Sequence, residues 1–244
     1  MDIQNIKKQL SAAYPYRVEL HAHSKPASSC SQVPAVKLVE NFKAAGYDAV
    51  TLTNHFSHRV LITYYKTEDK RTACEMYLED YRKAKEAGER LGIQVYLGAE
   101  LRFEPENNND YLLFGIDEEM IYRAYDYMDT DLETFVTKGK SDRSVLVQAH
   151  PFRDNMARME PRLLDGLEVF NMHPGHNSRV VLAQQFAGGY QLKLKTIGTD
   201  YHYEGHENLC AARFPALPAD SFALAQALKS GDYLMEIGEN LILP

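Results

Sequence analysis

The chain is short of the features that mark secreted, membrane-spanning or nucleic-acid-coating proteins. Its three cysteines, Cys30, Cys74 and Cys210, lie far apart, form no C-x-x-C pair and are odd in number. They read as free thiols in a reducing compartment and exclude a disulfide scaffold. The opening MDIQNIKKQL has no apolar leader core, and the longest uninterrupted apolar runs, such as Tyr111 to Phe114, are far too short to span a bilayer. We therefore expect a cytoplasmic protein with no membrane partner. Basic residues are outnumbered, with 27 Lys and Arg against 34 Asp and Glu and a formal charge of −7. That balance leaves no broad basic surface and excludes general binding to duplex nucleic acid. A small phosphorylated substrate stays open as a partner, because bound divalent ions would reverse the local field. There is no low-complexity stretch, linker or residue-level repeat, so the 244 residues, 45% hydrophobic, are expected to form one domain over 1–244. Oligomeric state leaves no readable mark.

What is present is an alternation of short apolar runs with helix-period stretches. The pattern predicts strands at 16–20, 49–53, 94–97, 111–116, 145–148, 166–170 and 192–197. It predicts helices at 34–46, 72–91, 117–128, 129–137, 178–187 and 220–229. The 72–91 helix has a stripe of Ala73, Met76, Tyr77, Tyr81, Ala84, Ala87 and Leu91, with Gly92 as its stop. Strands alternating with helices imply parallel pairing through right-handed crossovers, and about seven such strands favour a closed α/β barrel over a flat sheet. The connections 57–71, 101–109, 151–161 and 203–218 all follow strands that end in potential ligands, so they are expected to wall a pocket.

Those potential ligands are His21, His23, His55, Glu100, His150, Asp200 and His202, each placed directly after an apolar run. From His23 the stations are spaced by 32, 45, 50 and 50 residues, the length of one or two strand-helix units, so all can fall at the same end of successive strands. Alternate residues of a strand face the same way, so the H-x-H of His21 and His23 can reach one ion, and Asp200-Tyr201-His202 repeats the arrangement. Glu100 is the carboxylate suited to bridge two ions, and mixed histidine and carboxylate donors favour zinc, iron or manganese over calcium. Such a pair of ions, roughly 3.5 to 4 Å apart, stabilises in-line displacement at phosphorus.

The segments LHAHS at 20–24, AVTLTNH at 49–55, LGAE at 97–100, AHPFR at 149–153, GLEVFN at 166–171 and the TDYH of 199–202 resemble, in order, the motifs of the PHP family of polymerases and histidinol phosphatases. The resemblance spans nearly the whole chain. It implies a distorted (β/α)7 barrel, two or three divalent transition-metal ions, and phosphate-ester hydrolysis by a metal-bound hydroxide, with no side-chain nucleophile. By the same resemblance His21, His23, Glu100 and Asp200 form a first site, Glu100 and His150 a second, and His55 and His202 a third. Two departures stand out. Where relatives carry Asp or His after the H-x-H, this chain reads SKPASSCS, which puts Cys30 or a serine near the third site. Where relatives place a histidine after the glutamate, it reads NDYLLFG, which leaves Asp110 as a substitute. His176 matches a position where relatives often carry a pocket histidine and is a further candidate ligand.

Arg153, three residues beyond His150, is placed to clamp phosphate oxygens, with Lys25 and Arg213 as weaker candidates. His58 and His206 read as ordinary surface histidines. Two rival functions remain: an amidohydrolase-type enzyme cleaving C–N or C–O bonds on a related barrel, and a metal-binding accessory protein without turnover.

Overall fold

The barrel strands of the structure, a computed structural model that describes residues 2–104 and 106–244, fall at seven stations. In chain order these are β1 (Tyr16–Ala22), β2 (Ala49–Leu52) leading into β3 (His55–Phe56), β4 (Gln94–Leu97) leading into β5 (Ala99–Leu101), β6 (Tyr111–Phe114), β7 (Val145–Gln148), β8 (Gly166–Asn171) and β9 (Leu194–Gly198). Hydrogen bonding runs β1–β2–β4 in one sheet and β3–β5–β6–β7–β8–β9 in the other. Only Thr53-Asn54 and Gly98 separate the paired halves, so one sheet passes directly into the next. At the far seam Ala22 bridges Tyr201 in parallel, and His23 N donates to Tyr201 O at 2.9 Å. The ring is a distorted α/β barrel, as the motif resemblance implies. The residues of β2 and β7 are buried throughout, as expected for walls covered by helices.

Local chemistry sets the breaks. Helix Lys70–Leu91 begins where Asp69 accepts from Thr72 N at 2.8 Å and ends at Gly92, whose φ is +68°. Its inner face carries Tyr77, whose hydroxyl lies 3.0 Å from Asn54 O and 3.1 Å from Gly98 O. These are the carbonyls at the two breaks, so one buried phenol fastens the turns that present His55 and Glu100. Met76 and Leu91, placed inward by the sequence stripe, are exposed, because the helix buries the rows of Cys74 and Leu78 instead.

The structure corrects several sequence expectations. Strand β6 runs antiparallel to both neighbours, because it follows β5 through a loop with no crossover helix. That expected loop, 101–109, includes residue 105, which lies outside the described residues. Antiparallel direction brings the start of β6, and with it Asp110, to the ligand end. The stretch 203–218, expected to be a loop, contains β10 (Cys210–Phe214). With β11 (Leu234–Ile237) and β12 (Asn240–Ile242) it extends the sheet beyond β1. The first half of β1 pairs with β10 and its second half meets Tyr201, so β1 forks. Glu19 occupies the fork, where Oε1 accepts from His21 N at 2.8 Å and Thr199 N at 2.9 Å, and burial pushes its pKa up to about 7. A helix at Ile3–Ala13, capped by Asp2, was not signalled by the apolar pattern, and the expected 129–137 helix is a single turn, Leu132–Thr134, followed by a wider turn.

At the closing seam a Cβ on Gly198 would lie 2.4 Å from His21 Cβ and 2.8 Å from Glu168 Oε1. Gly198→Ala is therefore expected to destabilise the fold by about 1–3 kcal/mol through overpacking. Urea denaturation checks this, and an unchanged midpoint would contradict so tight a seam.

Candidate metal centre

The seven strand-end residues lie together at one end of the barrel, and all except the half-buried His55 are closed to solvent. His21 is the last residue but one of β1 and His23 directly follows the strand, His55 begins β3, Glu100 is in β5, His150 follows β7, and Asp200 and His202 follow β9. His150 and Asp200 have φ of +29° and +53°, a left-handed backbone that costs side chains energy and turns both strand ends inward.

Glu100 is the hub. Its Oε1 is 3.0 Å from His150 Nε2 and 3.5 Å from His21 Nε2, and its Oε2 is 2.8 Å from His55 Nδ1 and 3.2 Å from His23 Nε2. Asp200 Oδ1 closes the other side, 3.4 Å from His21 Nε2 and 3.3 Å from His23 Nε2. Although these atoms are within ion-pair distance, His21 Nε2, His23 Nε2 and Glu100 Oε2 are buried without an aligned hydrogen-bond partner. Buried, converging polar atoms of this kind are costly when unpaired, and once deprotonated they are the donor set a divalent cation takes. Potential ligand groups within 4.8 Å of one another are His21–His23–Asp200, His21–Glu100–His150, His55–Glu100–Asp110 and His23–His55–His202.

The outer hydrogen bonds fix the tautomers. Glu168 Oε1 accepts from His21 Nδ1 at 2.7 Å, while its Oε2 accepts from His150 N at 2.9 Å and Asn171 Nδ2 at 3.0 Å. Ser28 Oγ donates to Asn54 Oδ1 at 2.9 Å, so it can accept at 3.1 Å from His23 Nδ1. His202 Nδ1 donates to Asp200 O at 2.8 Å. With Nδ1 of His21, His23 and His202 held outward, Nε2 is the nitrogen each of these rings turns to the centre. Burial opposes charging His21, yet Glu168, Asp200 and Glu100 hold its pKa well above the usual value; against the same penalty Glu100 raises that of His55. Burial likewise disfavours ionised Glu100 and Asp200, but the imidazoles, His55 first for Glu100 and His21 first for Asp200, push both well below the carboxylate range. Burial and then His23 lower His202 to about 3, so it stays neutral.

The remaining candidates divide. His176 Nδ1 is 3.3 Å from Asp200 Oδ2, at the edge of the centre. Cys30 Sγ is 3.1 Å from His202 Nε2. Asp110 is gripped by Arg102, through Nε at 2.7 Å and the second guanidinium nitrogen at 2.9 Å, and lies 3.9 Å from His150 Nε2. Arg153 stands 3.5 Å from Asp110 Oδ2 and 4.0 Å from Asp200 Oδ2. Lys25 is exposed and does not line the cavity of about 280 Å³ over Glu100, His55 and Arg102. Arg213 pairs with Glu236 at 2.5 Å and with Tyr14 O. His58 pairs with Asp129 at 3.0 Å, whereas His206 lies 5.8 Å from the ring of His173. A larger cavity, about 430 Å³ beside Lys70 and Arg143, opens at the opposite end of the barrel, away from every candidate ligand.

Sequence reasoning missed Glu168, Arg102 and His173. His173 stacks on His176 with centroids 3.8 Å apart, and burial lowers its pKa to about 4. The H-x-x-H of residues 173–176 was the available signal for His173. Glu168 lies within the GLEVFN segment, but a carboxylate inside an apolar strand stands out from that segment only once its partners are known.

The model of the PHP domain family matches residues 19–237. No curated protein sequence matches significantly. Among solved structures, a two-domain protein from Bacteroides vulgatus containing a predicted PHP-like metal-dependent phosphoesterase superposes with a TM-score of 0.64 at 17% identity, covering 93% of this chain and 66% of that one. PsfC from Pseudomonas syringae gives 0.57 at 18% identity and 87% coverage of both chains. A candidate metal-dependent phosphoesterase from Bifidobacterium adolescentis gives 0.51 at 16%, covering 86% and 95%. At such identities the likeness concerns the fold.

Two measurements follow from the geometry. Glu168→Ala removes the acceptor that orients His21 and the one that holds His150 N, so metal affinity should fall about 10- to 100-fold, measured by competition with a chromogenic chelator. An unchanged affinity would remove the orienting role. Because the metal-free His21 and His55 hold protons above the usual histidine pKa, metal uptake at neutral pH should release protons and weaken as pH falls. Calorimetry in buffers of different ionisation enthalpy reads that release, and zero net release would refute it.

Proposed function

Since the chain belongs to the PHP domain family, we propose that it is a metal-dependent phosphoesterase acting on a small phosphate monoester or short phosphodiester. The observation that carries this reading is the meeting of His21 Nε2, His23 Nε2 and Glu100 Oε2, buried and unpartnered, between two carboxylates. In this reading His21, His23, Glu100 and Asp200 hold a first ion, Glu100 and His150 a second, and His55 with His202 a third. The nitrogen and carboxylate donors suit zinc, iron or manganese better than calcium. When bound, such ions supply Lewis-acid polarisation of a phosphoryl oxygen and activation of water.

The chain's own groups do the rest. Glu168, Ser28 and the Asp200 carbonyl keep three imidazoles in the ligating tautomer. Arg153 faces the centre and is the group we assign to the substrate phosphate, where a guanidinium fork matches two phosphate oxygens. Arg102 supports it from the far side of Asp110. With one carboxylate shared between two guanidinium groups, the mouth retains a positive charge above an acidic interior, which favours entry of an anionic ester.

The test is elemental analysis of protein purified without chelator, paired with phosphate release from a panel of small phosphoesters. Activity should vanish on chelation and return on refilling with metal. Arg153→Ala should lower kcat/KM by about 1.5–3 kcal/mol in transition-state stabilisation, roughly 10- to 100-fold, with the metal count unchanged. Metal-loaded protein inactive across the panel would sink the proposal.

A further inference from the structure

Arg153 connects the metal centre to a second cavity, which the proposed hydrolysis does not use. The cavity has a volume of about 540 Å³, and Arg153, Arg158 and Arg179 contribute to its wall. Against these three guanidinium groups the wall sets one carboxylate, Asp154, which pairs with Arg179 at 2.5 Å. Arg153 reaches inward, toward Asp110 and Asp200. The guanidinium carbon of Arg158 lies 5.9 Å from the centre of the Phe152 ring, and Arg158 has no carboxylate partner among the described residues. In a chain of net charge −7, an excess of cations around one cavity is a local exception. Like charges gathered in this way repel one another, and a bound anion relieves the repulsion.

The backbone that carries these groups is tied down. Buried Asn109 grips Ala157 twice, accepting from its N at 2.8 Å and donating to its O at 2.7 Å, and Gln148 Nε2 donates to the same carbonyl at 2.7 Å. Arg158 is the next residue. Arg179, immediately before helix Val180–Gly189, has a left-handed φ of +44°, and its Nη1 donates to Phe152 O at 2.8 Å. Backbone strain of this kind persists only where surrounding contacts impose it, and here those contacts hold a guanidinium at the cavity wall.

We propose that this cavity is a second anion subsite, so that the substrate is a phosphoester whose leaving group carries a further anionic group, a phosphate or a carboxylate. In this arrangement the scissile phosphate meets the metal centre and Arg153, while the second anion meets Arg158 and Arg179. Guanidinium forks match the paired oxygens of either group. Phe152, half-buried in the same wall, offers an apolar surface to the segment that joins the two anions. The proposal rests on the phosphoesterase reading above and narrows its substrate class.

The experiment measures binding of non-hydrolysable phosphonates to the metal-loaded protein by calorimetry. Plain alkylphosphonates are compared with α,ω-alkane bisphosphonates and with ω-carboxyalkyl phosphonates of increasing length, which separates a phosphate from a carboxylate as the second anion. At the matching length, one of the two doubly anionic series should bind about 10- to 100-fold more tightly than the alkylphosphonate, the gain of a charge-assisted contact. Arg158→Glu, at an exposed position, should remove that advantage, and Arg158→Lys should keep part of it. Equal binding of all three series would overturn the subsite and leave phosphoester hydrolysis standing. So would an advantage that survives in Arg158→Glu, since the second anion would then be held by the metals alone. A second-anion advantage lost in Arg158→Glu, in a protein that turns over no phosphoester, would overturn the hydrolytic reading and leave the subsite standing. No binding of any phosphonate would overturn both.

Discussion

The constraint on which the rest of this structure depends is the burial of three carboxylates, Glu100, Glu168 and Asp200, beside five imidazoles at one end of a barrel. Isolated ionised carboxylates in so dry a place would cost many kcal/mol. They persist because Glu100 and Asp200 each face several rings while Glu168 is held by the His21 ring, the His150 amide and Asn171, and the carboxylates in turn raise the pKa values of His21 and His55. In the metal-free chain protons on His21 and His55 do the neutralising. Protons can balance the charge but cannot satisfy the geometry, since His21 Nε2, His23 Nε2 and Glu100 Oε2 remain without aligned partners. A divalent cation satisfies both requirements at once.

Much of the backbone irregularity answers to this constraint. The interruptions at Thr53-Asn54 and Gly98 carry the chain from one sheet into the other, where His55 and Glu100 pair directly, and each leaves a carbonyl that the hydroxyl of Tyr77 meets. His150 and Asp200 adopt left-handed φ values where an ordinary strand would carry their side chains away from Glu100. The fork in β1, with Glu19 between its prongs, lets the same strand pair with β10 and still meet Tyr201, so the barrel closes just where His21 and His23 project. Gly198 is small because His21 and Glu168 must touch there.

This distinction explains what was legible in the sequence. Apolar runs of four or five residues ending in a histidine or acid announced both the strands and the candidate ligands, because burial and ligation act on neighbouring positions of the same segment. The antiparallel turn of β6 was not legible: a short apolar run reads the same in either direction, and only the absence of a helix between β5 and β6 hints at it. The strands β10 to β12 were hidden because CAARF and LMEI have no ligand at their ends and sit among turn residues. Glu168 was hidden for a different reason. Its meaning lies in His21, far away in sequence, and in the amide of His150, so neither periodicity nor motif spacing reports it.

Asp110 shows how a single partner changes the chemistry assigned to a residue. By position it stands where a second-site ligand belongs, and it does come within 3.9 Å of His150 Nε2. Yet both its oxygens are taken by the guanidinium of Arg102, and burial of Arg102, which by itself would disfavour its charge, is outweighed by Asp110 so that its pKa rises. A carboxylate so engaged is a weaker donor to a cation than Glu100 and a better anchor for Arg153, 3.5 Å away. The charge pattern along the pocket axis then alternates, acidic at the floor, where cations belong, and cationic at the rim. An anion bridging floor and rim would meet metals on one side and Arg153 on the other, an arrangement that a neutral amide or lactone would leave half unused. The rim thus weighs toward phosphate esters independently of the ligand set beneath it.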